Sequence, residues 1–165
     1  MEKQEPRVAV VGFGNLLLKD EGVGIHVIKA LQAMELHRDG DIEIIDGGTS
    51  TDILFSLPAV DKLVIVDATA GGGDAGSVYR FGPEDLGEQE MVTSPHQSSL
   101  SMALKTMKYA GVEPKKVVII GVEPEEIDWG LELSEGISLQ YNLAGNRHIP
   151  GIFRCPAIPR ATHRD

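Results

Sequence analysis

The sequence predicts a single three-layer α/β/α domain in which a mostly parallel, twisted central sheet lies between helices. Three observations carry that expectation. β-Branched runs recur along the chain and are apolar at nearly every position, as in strands buried on both faces. Between them lie segments whose apolar residues repeat at helical spacing. A chain of 165 residues, 42% hydrophobic and 24% charged, suits one domain with a substantial core.

The elements follow in order. Arg7-Val8-Ala9-Val10-Val11-Gly12 reads as the first strand, and residues 13–19 as a loop. Asp20 is expected to cap the next helix, whose inner face is Gly24, Val27, Ile28, Leu31 and Met34. Ile42-Glu43-Ile44-Ile45-Asp46 is a second strand, stopped by Gly47-Gly48. Residues 51–57 suggest a short helix ended near Pro58. Leu63-Val64-Ile65-Val66-Asp67 is the third strand, followed by a Gly71-Gly72-Gly73 loop and an edge strand over residues 77–81. In Ser94-Pro95-His96-Gln97, Ser94 fits a helix cap, Pro95 the first helical position and Gln97 the reciprocal member of a capping box. Leu100, Ala103, Leu104, Met107 and Ala110 then form an apolar face, and residues 117–122 a last buried strand.

Composition narrows the function classes. One cysteine, Cys155, excludes an internal disulfide and a Cys-rich zinc site. A net charge of −10 argues against nucleic acid, which needs clustered Lys and Arg. No run approaches the roughly 20 apolar residues of a membrane span. The first residues lack the apolar stretch of a secretory leader, so a cytoplasmic location is expected. Residues 1–137 read as the domain. Residues 138–164 contain no Asp or Glu, carry three prolines and show no helical period, so 138–165 is expected to be an irregular tail.

In open α/β sheets, ligands sit beyond the carboxyl ends of the strands. That edge should gather Gly14, Asn15, Asp20 and Glu21 after the first strand, Asp46 and Asp67 at the next two strand ends, and His96 at a helix start. Glu21, Asp67 and His96 make an oxygen, oxygen, nitrogen set suited to nickel or zinc. In a first helical turn His96 should stay neutral and able to bind metal. Each residue also has an ordinary reading: Asp46 and Asp67 as turn formers, Glu21 as a first-turn acid, His96 as part of a capped helix. Gly12-Phe13-Gly14 resembles the start of a dinucleotide fingerprint, but the third glycine position holds Leu17, and no Gly-Lys-Ser/Thr follows. A G-x-S-x-G elbow and an H-E-x-x-H helix are also absent.

Four segments resemble, in order and rough spacing, the signatures of the [NiFe]-hydrogenase maturation endopeptidases. They are Val11-Gly12-Phe13-Gly14-Asn15-Leu16-Leu17-Leu18-Lys19-Asp20-Glu21-Gly22-Val23-Gly24, Asp46-Gly47-Gly48-Thr49, Val66-Asp67-Ala68 and Ser94-Pro95-His96-Gln97. The resemblance covers about residues 7 to 137. It implies a twisted sheet between helices and a protease that removes a C-terminal extension from the hydrogenase large-subunit precursor once the metal centre is inserted. It further implies that Glu21, Asp67 and His96 contact nickel presented by the substrate, with Asp46 and Asp67 supporting hydrolysis, an aspartic-type activity. Other divalent ions could occupy the same donors. The competing reading is a nickel-dependent binding module or chaperone for the large subunit that does not cut. Family members usually end in an amphipathic helix, which nothing after about Gly136 suggests here.

Overall fold

The computed structural model describes residues 7–34, 41–86, 92–93 and 96–141. Five strands run side by side in the order β2 (Ile42–Gly48), β1 (Val8–Phe13), β3 (Lys62–Ala70), β6 (Lys116–Val122) and β4 (Val78–Phe81). The first four are parallel, and β4 is an antiparallel edge on β6. A two-residue strand, β5 (Val92–Thr93), pairs antiparallel with the far end of β3, placing Thr93 opposite Thr69. Helix α1 (Val23–Ala33) links β1 to β2, and α2 (His96–Tyr109) leads into β6.

Alternation along β1 and β3 divides the core in two. Val8, Val10, Val64 and Val66 pack with Val27, Ile28 and Leu31 of α1. Ala9, Val11, Leu63 and Ile65 pack with Leu100, Ala103, Leu104 and Met107 of α2. Each interior strand is apolar on both sides because each side meets a helix. The expected helix faces are the ones buried, except at their last positions: Met34 follows the end of α1 half-buried, and Ala110 follows the end of α2 exposed. Losing one such core side chain, for example Ile65→Ala, would cost about 2–5 kcal/mol.

The short helix expected over residues 51–57 is a 3₁₀ helix, Thr51–Ser56, with Ser50 accepting from the Asp52 amide. One difference from the sequence reading concerns local structure. The expected tail boundary at 137/138 falls inside a helix, α3 (Glu135–Tyr141), whose Ile137 is buried in the α1-side core. Residues 138–141 are therefore helical, and the rest of the expected tail, 142–165, lies outside the described residues. No helix among the described residues is long and apolar enough to cross a membrane.

Candidate active site at the carboxyl edge of the sheet

The site forms where β1 and β3 end beneath the first turn of α1. A 3₁₀ turn, Lys19–Gly22, brings Asp20 and Glu21 over that edge. Close approach requires glycine. A Cβ on Gly24 would strike the carbonyl oxygens of Phe13 and Val66, and one on Gly12 would strike the Gly24 carbonyl. Any larger residue would lift the turn off the strand ends.

Asp67 is 1% exposed and lies near the end of β3. Strand alternation with Leu63 and Ile65 puts it on the α2 face. The Ala68 amide donates to its Oδ1 at 2.8 Å. Its Oδ2 is buried and, among the described residues, has no hydrogen-bond partner. Loss of solvent pushes the Asp67 carboxyl up to about 8; the Ala68 amide opposes the rise and the nearby Glu21 charge adds to it. Glu21 is itself 5% exposed. Two carboxyl groups thus share a dry corner, one with an oxygen that no described residue hydrogen-bonds. Thr69, two residues along on the same face, is fully buried, and its Oγ1 also lacks a partner among the described residues. No sequence signal distinguishes Thr69 from an ordinary strand residue.

His96 begins α2, and its side chain lies outside the described residues. Its backbone position is constrained. Thr93 is paired with Thr69, and three residue steps reach at most about 11 Å. Since α2 covers the Leu63 and Ile65 face, His96 starts at the same edge and on the same face as Asp67. The expected Ser94 cap and Pro95 also lie outside the described residues.

Asp46 behaves differently. It lies two residues before the end of β2, exposed, with Oδ1 accepting from the Gly48 amide at 2.9 Å. It pairs in register with Gly12, which pairs with Val66, so it occupies a strand position on the α1 face. Asp46 and Asp67 share an edge but not a face and do not form a carboxyl dyad.

Asp20 is not a helix cap. Gly22 holds that position before α1 and makes no side-chain capping bond. Instead the buried Asp20 carboxylate accepts from the amides of Glu125, Glu126 and Ser134 and from the Ser134 hydroxyl, at 2.7–2.9 Å. It thereby clamps a strap, residues 123–134, onto the site turn. The Lys19 amide donates to the Gly130 carbonyl and the Gly130 amide to the Leu17 carbonyl, both at 2.9 Å, while Lys19 Nζ meets Glu126 at 2.6 Å. At the strap's start, Glu123 accepts from the Tyr79 hydroxyl and the Gly71 amide. Sequence reasoning misses the strap. The one clue to it is the run of acids after the last strand.

Among the described residues, no three His, Cys, Asp or Glu side chains close on one point to hold a metal alone. Glu21 and Asp67 nevertheless fit a cation: it would satisfy the orphaned Oδ2 and favour the ionised form of Asp67 beside Glu21. A cavity of about 460 Å³ lined by Leu104, Lys105, Lys108 and Lys116 lies at the opposite end of the sheet, where β6 begins, and takes no part in this chemistry.

A family profile described as hydrogenase maturation protease matches residues 25–149. Hydrogenase 2 maturation protease of Escherichia coli K12 is 34% identical over 96% of this chain and 99% of its own length. Among solved structures, hydrogenase maturating endopeptidase HybD from E. coli superposes with a TM-score of 0.66 at 28% identity, covering 81% of this chain and 84% of that one. The [NiFe] hydrogenase maturation protease HycI from Thermococcus kodakarensis gives a TM-score of 0.66 at 26% identity, covering 83% and 86%.

Proposed function

The chain belongs to the hydrogenase maturation proteases, and from that premise we propose that it cuts the C-terminal extension from a nickel-loaded [NiFe]-hydrogenase large-subunit precursor in the cytoplasm. The observation that carries the nickel-dependent part is the buried, unpartnered Oδ2 of Asp67 beside Glu21. Such a pair is unfavourable on its own and becomes favourable when a cation arrives.

In this reading the nickel comes with the substrate, held by the precursor's own ligands. Glu21 and Asp67 supply two oxygens and His96 a ring nitrogen, completing a shell that neither protein has alone. Recognition then depends on metal loading, because a precursor without the ion leaves the corner uncompensated. Nickel binding favours the ionised Asp67, so arrival of a loaded substrate drives a proton off that carboxyl. The bond cut is a peptide bond: water adds to its carbonyl carbon, the carbon–nitrogen bond breaks, and the new amine takes a proton. Asp46, exposed near the end of β2 where water reaches it, is the proposed general base for that water. Its separation from Asp67 by a sheet face argues against a shared-proton aspartate pair.

The test is an intact-mass assay of precursor incubated with the purified chain, nickel-loaded in one arm and nickel-free in the other. Loss of a C-terminal peptide from the loaded form alone is expected. Loss from both forms would remove the metal checkpoint, and loss from neither would favour a chaperone that binds without cutting.

A further inference from the structure

The strap clamped by Asp20 carries an exposed apolar surface that the chemistry above does not use. Ile127, Trp129 and Leu131 on the strap, with Leu17 on the site loop, are 51–75% exposed. The backbone bonds between Leu17, Lys19 and Gly130 hold the two segments side by side, so the four side chains belong to one rim. Single exposed apolar residues are ordinary, but a contiguous group that includes a tryptophan marks a contact surface. The rim is also strongly acidic. Residues 124–135 carry the exposed acids Glu125, Glu126, Asp128, Glu132 and Glu135 and no Lys or Arg. Lys19, on the site turn, pairs with one of these acids, Glu126.

We propose that this rim docks a segment of the hydrogenase large-subunit precursor that combines apolar and basic side chains, and so positions the extension over the Glu21–Asp67 corner. The inference rests on the processing reading above and adds where the polypeptide is gripped. Charge complementarity selects a basic partner, and the apolar side chains supply contact area. Because the strap is tied down by Asp20 and by backbone bonds, little ordering is needed on binding. The rim is continuous with the turn that bears Glu21, so a bound segment leads directly into the site.

The experiment uses the full chain carrying Trp129→Ala with Leu131→Ser, and separately Asp128→Lys with Glu132→Lys. Cleavage kinetics on nickel-loaded precursor and calorimetric binding of nickel-free precursor are read in parallel. Each variant should raise KM and Kd at least about tenfold while kcat at saturation stays within about twofold, as for truncated contact hot spots. Added salt should weaken the wild-type complex more than the charge-reversed one. Unchanged KM and Kd in both variants would overturn the docking surface, as would a wild-type chain that binds neither precursor form. Weakened binding in the variants when the wild type cuts nothing would keep the docking surface and sink the peptidase reading. Trp129 is the only tryptophan in the chain, so its emission checks the alternatives. A shielded indole that becomes exposed on dilution would assign the rim to a second copy of the chain. One shielded at every dilution would assign it to residues 142–165, and either result overturns the proposal.

Discussion

Asp20 and Asp67 are the same residue type, each 1% exposed, and they meet opposite fates. Asp20 accepts hydrogen bonds from three amides and a hydroxyl, so its burial is compensated and it fastens two distant segments. Asp67 accepts from the next residue's amide through one oxygen and keeps the other orphaned, next to another acid. An uncompensated buried carboxyl is costly to a folded chain and is therefore a candidate for function. Burial alone therefore does not single out a candidate acid; burial without partners is what separates Asp67 from Asp20.

The sharpest way to break this contrast is to neutralise the orphan. Asp67→Asn keeps the shape and removes the charge, and we expect processing of nickel-loaded precursor to fall by a factor on the order of 10³ or more. Parental cleavage rates in single-turnover assays would show that the corner is not the site.

Next in size is the clamp. Asp20→Ala strands three amides and the Ser134 hydroxyl, and should destabilise the chain by about 3–5 kcal/mol in urea titrations. Loss below about 1 kcal/mol would mean that the strap is held by its backbone bonds alone.

A third measurement tests Asp67 through pH. The folded Asp67 carboxyl titrates at about 8, above its ordinary value of 3.8. Folded chains therefore hold the proton through a window in which unfolded chains have lost it. The stability this group contributes is complete below about pH 4 and is lost as pH rises toward 8. Asp67→Asn removes that slope, so relative to wild type it should gain several kcal/mol, up to about 5, between about pH 4 and 8. Parallel stability–pH curves for the two proteins would contradict the assignment.

The smallest effect is expected at the other end of β3. Asp61 is held below the usual carboxylate range by its hydrogen bond from Lys115, with help from the Arg7 amide, and it is partly open to solvent. Asp61→Asn should leave the melting temperature within error at moderate salt.

The fold was legible because its signals are local. Runs such as Leu63-Val64-Ile65-Val66 and Val117-Val118-Ile119-Ile120 announce strands buried on both sides, and the spacing of Leu100, Ala103, Leu104 and Met107 announces a helix face. The edge of the site was legible for a similar reason, since strand ends can be read from the sequence. Its faces were harder. Asp46 and Asp67 both end apolar runs, but a single step in a period of two sends them to opposite sides of the sheet. The role of Asp20 was hidden more deeply. A cap is a local expectation, whereas its real partners lie 105–114 residues away. Thr69 gave no signal, because its burial beside Gly121 follows from the β3–β6 register.

The length of that Asp20 connection also sets a timetable. A chain emerges from the ribosome at about 5–20 residues per second, so Ser134 follows Asp20 by roughly 6–23 s. During that interval β1, α1 and β3 can pair, yet the turn bearing Glu21 has no clamp and the strap does not exist. The turn and the strap it holds are thus completed only as α3 is being made.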